Sequence, residues 1–295
     1  MLIIKENLFT NLIMSEGRLK RRLALGVLVS GSMGLAMPAL AQRTSPAAKP
    51  KPAPAPRLRV IALDPGHGGA DPGTTGATGM HEKTVVYAVA TELERQLSAG
   101  RRYRVALTRR GDLFVPLRER VARARAAKAD LFISLHADSH PDPTVRGATV
   151  YTLSEGASDR EAAALAAREN KADLVAGVDL RRQPDDVASV LIELTQRGTI
   201  NQSRSFAGIM VEALHNHGVA TLPRSHRHAG FAVLTAPDMP AILLETGYLS
   251  NRADERLLLN KAHQQKLARA VAAAADRYFG TLPASPGPGP AVKKA

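Results

Sequence analysis

Four side chains able to hold a metal or move a proton stand at the ends of predicted elements. They are His67 in LDPGHGG, Glu82 in GMHEK, His136 in LFISLHA and Glu245 in AILLETG. Two histidines and one carboxylate make a usual catalytic zinc shell, with a fourth position open to water. Zinc would lower the pKa of that water and polarise a carbonyl. A carboxylate outside the shell is then needed as general base. Glu245 is the candidate, because the preceding Ile242-Leu243-Leu244 would desolvate it and raise its pKa. Asp64 and Asp138 adjoin these residues and are placed to orient them. A lone buried His or Glu is ordinarily a satisfied core residue; four at converging element ends are harder to dismiss. The glycines of GHGGADPGTTGATG also raise a phosphate-cradling reading, but the run lacks the Lys and Ser/Thr of a P-loop and the spacing of a dinucleotide fingerprint.

The elements that must carry these groups alternate. RVIALD (59–64), YRVALTR (103–109), LFISLHA (131–137), ATVYTL (148–153), FAVLT (231–235) and AILLETG (241–247) read as strands. Segments 81–97, 115–129, 199–218 and 260–279 read as helices; the first carries an apolar stripe through Val85, Val89, Leu93 and Leu97. The alternation argues for an α/β open sheet, mostly parallel, flanked by helices on both faces. In such a sheet the strand ends bearing His67, His136 and Glu245 meet on one edge, and helix starts such as that of Glu82 lie there too. His81 neighbours Glu82 but should point elsewhere on the helix, and His140, His215, His217 and His263 read as surface residues. His226 and His228 fall in RSHRHAGF, a basic segment read as a loop that touches substrate at most.

Residues 154–198 are far longer than an ordinary strand-to-helix connection, which marks them as functional. Within them 158–175 and 180–197 read as two helices, a helical insertion suited to act as a lid or to bind a partner.

The 295-residue chain has no cysteine, so a thiol nucleophile and thiolate ligands are excluded, and any metal must be held by His, Asp and Glu. RLKRR (18–22), the apolar run after it and ALA (39–41) read as a signal peptide ending at Ala41. The Arg21–Arg22 pair leaves the Sec and twin-arginine routes both open. Residues 42–57 are a Pro/Ala/Lys-rich linker and 283–295 a disordered tail, leaving one folded unit over 58–282. The formal charge of +13 falls to +10 without residues 1–41, which carry five Lys/Arg and two Asp/Glu. A basic exported protein suits an acidic polymer such as peptidoglycan and argues against nucleic acid. A monomer is expected.

LDPGHGGADPGTTGATGMHEK, SLHAD and FAVLTAPDMPAILLETGYLSN together resemble the zinc-dependent N-acetylmuramoyl-L-alanine amidases of bacterial cell division, over nearly all of 58–280. The resemblance implies zinc bound by His67, Glu82 and His136, with Glu245 catalytic. It implies hydrolysis of the amide between N-acetylmuramic acid and L-alanine in the periplasm. In that family a helix covers the zinc, and a glutamate from it fills the open position until an activator of the LytM-domain type displaces the helix. ARENKADLVAG (167–177) looks like that segment and Glu169 like the blocking residue; Glu155 and Glu161 are alternatives. His228 stands where the family pattern leads one to expect glutamine, and there is no room for a separate wall-targeting domain. Two other readings stay open: a zinc carboxypeptidase or endopeptidase acting within the stem peptide, and a non-catalytic wall-binding module.

Overall fold

The computed structural model describes residues 57–176 and 189–282; of 189–196 only the backbone is considered. The proposed signal peptide, nearly all of the linker, residues 177–188 of the insertion and the C-terminal tail lie outside the described residues.

Six strands form one sheet: β1 (Arg59–Pro65), β2 (Tyr103–Leu107), β3 (Leu131–His136), β4 (Ala148–Leu153), β5 (Thr221–Ala229) and β6 (Ala241–Glu245). Their spatial order is β2-β1-β3-β6-β4-β5. Four pairings are parallel and one, β4 with β6, is antiparallel. The central strands β3 and β6 are buried at every position. That explains their near-continuous apolar runs, interrupted before the site residues only by Ser134: a strand covered on both faces has no polar side to alternate with.

The helices are α1 (Glu82–Ser98), α2 (Leu117–Ala126), α3 (Arg160–Glu169), α4 (Ala172–Val175), α5 (Ser189–Asn216), α6 (Arg252–Leu259) and α7 (Lys261–Gly280). On one face of the sheet α1, α5 and α7 pack through Val89, Leu93, Phe206, Met210, Leu267 and Val271. Side chains of α2 and α3, together with Phe231 and Leu234, cover the other face. Fully burying one such side chain contributes about 1.5–3 kcal/mol, so both clusters together hold the sheet between the helix layers.

Several sequence expectations change. RSHRHAGF is not a loop: most of it lies in β5, nine residues long. Its polar side chains alternate only weakly with Leu222, Ser225 and Ala229, so the period-two signal was faint. FAVLT is not a strand: Ala232–Leu234 form one turn of 3₁₀ helix. Its apolar side chains still enter the core, since burial rewards apolar area without requiring a ladder. The helices expected at 180–197 and 199–218 join into the 28-residue α5, which runs through Gly198. The helix expected over 158–175 breaks instead at Asn170 and Lys171. α6 was not expected, although Asn251 caps it by accepting from the N–H groups of Ala253 and Asp254. His263, expected at the surface, is buried.

Candidate functional site

The chain leaves β1 for β2 on one side and reaches β3 on the other, so the C-terminal ends of β1 and β3 flank a switch point where α/β sheets bind ligands. His67 follows the end of β1 by one intervening glycine, Gly66, and His136 ends β3. His67 takes a left-handed φ of 58°. Two buried guanidinium groups hold it there. Arg109 donates to the carbonyls of Pro65 and Gly66 at 2.9 and 3.0 Å. Arg120 donates to the carbonyls of Pro65 and His67 at 2.9 and 2.8 Å. Burial, helped by the neighbouring Arg120, pushes Arg109 down to about 10.

The glycines leave room for the imidazoles. A Cβ on Gly66 would lie 2.5 Å from the His136 ring. One on Gly73, at φ +67°, would lie 2.7 Å from His67 Cδ2 and 2.8 Å from Glu82 Cβ. Loop carbonyls also cap the start of α1: Pro72 and Thr74 accept from the N–H groups of Lys83 and Glu82. The loop that presents His67 therefore fixes Glu82 as well.

The side chains converge. Glu82 Oε2 lies 3.2 Å from His67 Nε2, and its Oε1 lies 3.1 Å from His136 Nδ1. Glu169, on the last turn of α3, places Oε2 3.2 Å from His136 Nδ1 and 3.6 Å from His67 Nε2. His67, His136 and Glu169 each offer a ligand atom, all within 4.8 Å of one another. His67 Nε2 is buried and has no aligned hydrogen-bond partner among the described residues, despite the two nearby carboxylates. The cavity around them is lined by Gly66, His67, Arg120, His136, Glu169 and Asn170 and holds about 10 Å³, room for one water-sized sphere.

Burial opposes charge on His67, but Glu82 and Glu169 outweigh it and raise the imidazole well above the usual histidine range. His136 is raised on balance too: burial opposes its charge, and Glu169 and Glu82 overcome that. Burial pushes Glu82 up, yet the two imidazoles hold it well below the usual carboxylate range. Glu169 is raised by burial and by the Glu82 and Asp138 carboxylates, against the pull of both histidines.

Glu245 is fully buried and sits directly across from His136 in the β3–β6 register. Its Oε2 accepts from the Asp138 N–H at 3.0 Å, while Oε1 has no hydrogen-bond partner among the described residues. Burial first, then the carboxylates of Asp138, Glu82 and Glu169, raise it well above the usual range.

Asp64 and Asp138 orient no imidazole directly. Asp64 accepts from Thr108, Ser134 and Arg120, and so anchors the arginine that grips the His67 carbonyl. Asp138 accepts from Thr74 at 2.7 Å and pairs with Arg168, the residue before Glu169. The residue that does orient His67 is Asp71, which was not singled out in the sequence. Its Oδ2 lies 2.8 Å from His67 Nδ1. The available signal was a carboxylate four residues after the histidine in a turn. Asn170 was missed as well: it donates to Gly230 O and accepts from Ala232 N–H, both at 2.8 Å. Of the three insertion glutamates considered, Glu169 faces the imidazoles, Glu161 pairs with Arg227, and Glu155 is exposed.

This is an α/β protein with a candidate metal centre of two imidazoles and two carboxylates at a sheet switch point, and a third carboxylate beside it. Residues 61–277 match the N-acetylmuramoyl-L-alanine amidase family. The chain belongs to that family and is an amidase of this kind. It is 41% identical over 247 residues to AmiC of Neisseria meningitidis, covering 82% of this chain and 57% of that protein. It is 38% identical over 263 residues to AmiA of Escherichia coli, covering 88% and 90%. Among solved structures, the catalytic domain of CwlV from Bacillus (Paenibacillus) polymyxa var. colistinus aligns at a TM-score of 0.53 and 26% identity, covering 76% of this chain and all of that one. AmiC2 of Nostoc punctiforme aligns at 0.52 and 26% identity, covering 75% and 97%. Among the described residues, no helix is long and apolar enough to cross a membrane.

Proposed function

We propose that the chain is an exported, zinc-dependent amidase that cuts the amide between the lactyl group of N-acetylmuramic acid and L-alanine in septal peptidoglycan. We propose further that the conformation described is its self-inhibited state. One observation carries this reading. His67 Nε2 is buried without an aligned partner among the described residues; it lies 3.2 Å from Glu82 and 3.6 Å from Glu169, carboxylates that each also stand 3.1–3.2 Å from His136 Nδ1.

The donor set fits a zinc ion: two imidazole nitrogens and carboxylate oxygens, with no thiolate in the chain. His67, Glu82 and His136 would hold it, and Glu169 would fill the position that water and substrate need. Bound there, zinc would acidify water and polarise the lactyl carbonyl. Glu245 Oε1 is the free proton acceptor. It takes the proton of the attacking water and returns it to the L-alanine nitrogen as the C–N bond breaks. The Asp138 N–H holds the other oxygen of Glu245, so the accepting oxygen stays aimed at the site. Asp71 fixes the His67 tautomer by accepting a hydrogen bond from its Nδ1–H, which leaves the Nε2 lone pair free to ligate.

Activation then requires α3 to leave. An activator of the LytM-domain type would bind the insertion and draw Glu169 away. The N-terminal segment 1–41 supports export to the periplasm, and the basic charge supports a wall polymer as partner.

Mass spectrometry of digested sacculi tests the reading. Intact stem peptides with a free L-alanine amine are expected. Cleavage inside the stem peptide would make the protein a carboxypeptidase or endopeptidase. Binding without soluble product, even with α3 released, would make it a wall-binding module.

A further inference from the structure

We infer that Arg227, with His140, forms a subsite for a free carboxylate on the peptide stem of the substrate, and that α3 seats its own Glu161 there in the closed state. This rests on the amidase reading above and adds where the peptide lies.

Arg227 stands on β5, in register with Tyr151 of β4. One guanidinium nitrogen lies 2.8 Å from Glu161 Oε2 and 3.5 Å from Asp159 Oδ1. The other oxygen of Glu161 lies 3.7 Å from His140 Nε2. The carboxylate is therefore shared between a guanidinium and an imidazole. The two sides of this pair differ. The Arg227 side chain is 12% exposed, whereas that of Glu161 is 58% exposed. The cation is built into the sheet edge, and the anion is laid over it by the insertion. If α3 withdraws, Arg227 loses both carboxylates and keeps, among the described residues, only the Arg224 carbonyl that its Nε donates to at 3.3 Å, a condition that favours capture of another carboxylate.

The surroundings give that carboxylate a route. A cavity of about 190 Å³ is lined by Asp138, His140, Tyr151, Arg168, Arg227 and Tyr248. Asp138, whose N–H holds Glu245, and Arg227 both line it, and α3 forms one wall through Glu161, Ala164, Leu165 and Arg168. A peptide entering from the reacting amide would run along the cavity to the guanidinium. α3 also supplies a ruler. Glu161 and Glu169 are eight positions apart, about 12 Å along a helix axis. An extended peptide covers that distance in three to four residues. The subsite is thus suited to a carboxylate about three residues beyond the scissile bond. On this geometry α3 covers both ends of the substrate path, with Glu169 at the reacting end and Glu161 at the anchoring end.

The experiment compares muramoyl tripeptides whose third-residue carboxylate is free or amidated. Binding is measured by calorimetry on the full-length Glu245→Gln protein, alone and with Arg227→Ala or Arg227→Lys added. The free acid should bind roughly tenfold tighter than the amide, Arg227→Ala should abolish the difference, and Arg227→Lys should keep part of it. Adding Glu161→Gln should tighten the free acid more than the amide. Equal affinity for acid and amide, or a preference that survives Arg227→Ala, would overturn the assignment. Turnover is scored separately in Glu169→Ala protein that keeps Glu245, so that the closed state does not mask it. Acid-selective binding without hydrolysis would defeat the amidase reading and leave the Arg227 subsite standing.

Discussion

His136 and Glu245 are register partners on adjacent parallel strands, β3 and β6, at the end of the sheet where both chains exit. Parallel neighbours at equal register project side chains to the same face. This pairing sets an imidazole of the candidate metal site beside the carboxylate proposed to move the proton, on two strands buried at every position.

The pairing predicts that metal binding and turnover separate by mutation. Glu245→Gln should retain zinc and lower turnover by about 10²–10⁴-fold, the usual span for a general base. His136→Ala should lose the metal itself. Metal content by atomic absorption alongside dye release from labelled sacculi reads both. Near-normal turnover in Glu245→Gln would remove that residue from the mechanism.

Asp71 predicts a graded effect. It holds His67 Nδ1 at 2.8 Å and also accepts from the Gly73 N–H at 3.0 Å. Partners of this kind typically support metal affinity by about 10–100-fold. Asp71→Ala should weaken zinc by that amount in a chelator competition while the far-ultraviolet circular dichroism stays unchanged. Unaltered affinity would mean that the His67 ring is fixed by packing alone.

Self-inhibition predicts gains of function. Glu169→Ala should raise basal hydrolysis by removing the carboxylate facing both imidazoles. Asn170→Ala should do so while leaving every proposed metal ligand and Glu245 in place, because it removes two hydrogen bonds that tie the end of α3 to Gly230 and Ala232. At about 0.5–1.5 kcal/mol each, their loss raises the open population roughly five- to 150-fold. If neither variant exceeds wild type in dye release without an activator, α3 is not the brake.

Glu92 predicts a pH-dependent stability. On α1 it accepts from Arg95 at 2.6 Å and pairs at 2.8 Å with Lys261, the first residue of α7. The Arg95 hydrogen bond leads the interactions that hold its carboxyl down to about 2, from an ordinary 4.5. A depressed folded-state value stabilises fully above the ordinary value and is lost as pH falls toward 2. Both cationic partners are over 60% exposed, so screening limits the contribution to about 1 kcal/mol. Urea unfolding should show Glu92→Gln destabilised by that amount at pH 7, with the gap closing toward pH 2. A gap of constant size would assign the effect to packing.

Most of the frame could be read directly because the signals were strong. β1, β3 and β6 are short, predominantly apolar runs, and α1 carries a clear helical stripe. β5 could not be read: its Arg and His side chains look toward the cavity and solvent, so nothing in its pattern distinguishes strand from loop. Arg120 likewise reads as one more charge on a basic helix, yet it is buried and holds the His67 carbonyl.

Residue types and their order alone determine the donor inventory: His67, Glu82, His136 and Glu245 at element ends, and no thiol. They also make 154–198 an insertion in need of a purpose. Tertiary structure decides the rest, because strand order is not written in any local pattern. Only the order β1-β3-β6 brings those ends together, and only the fold of the insertion shows which of its glutamates faces the imidazoles. It also assigns orienting work to Asp71 rather than to Asp64 or Asp138. A side chain's partner is set by where the backbone of a distant segment comes to rest, and burial fixes that contact only after the sheet has closed.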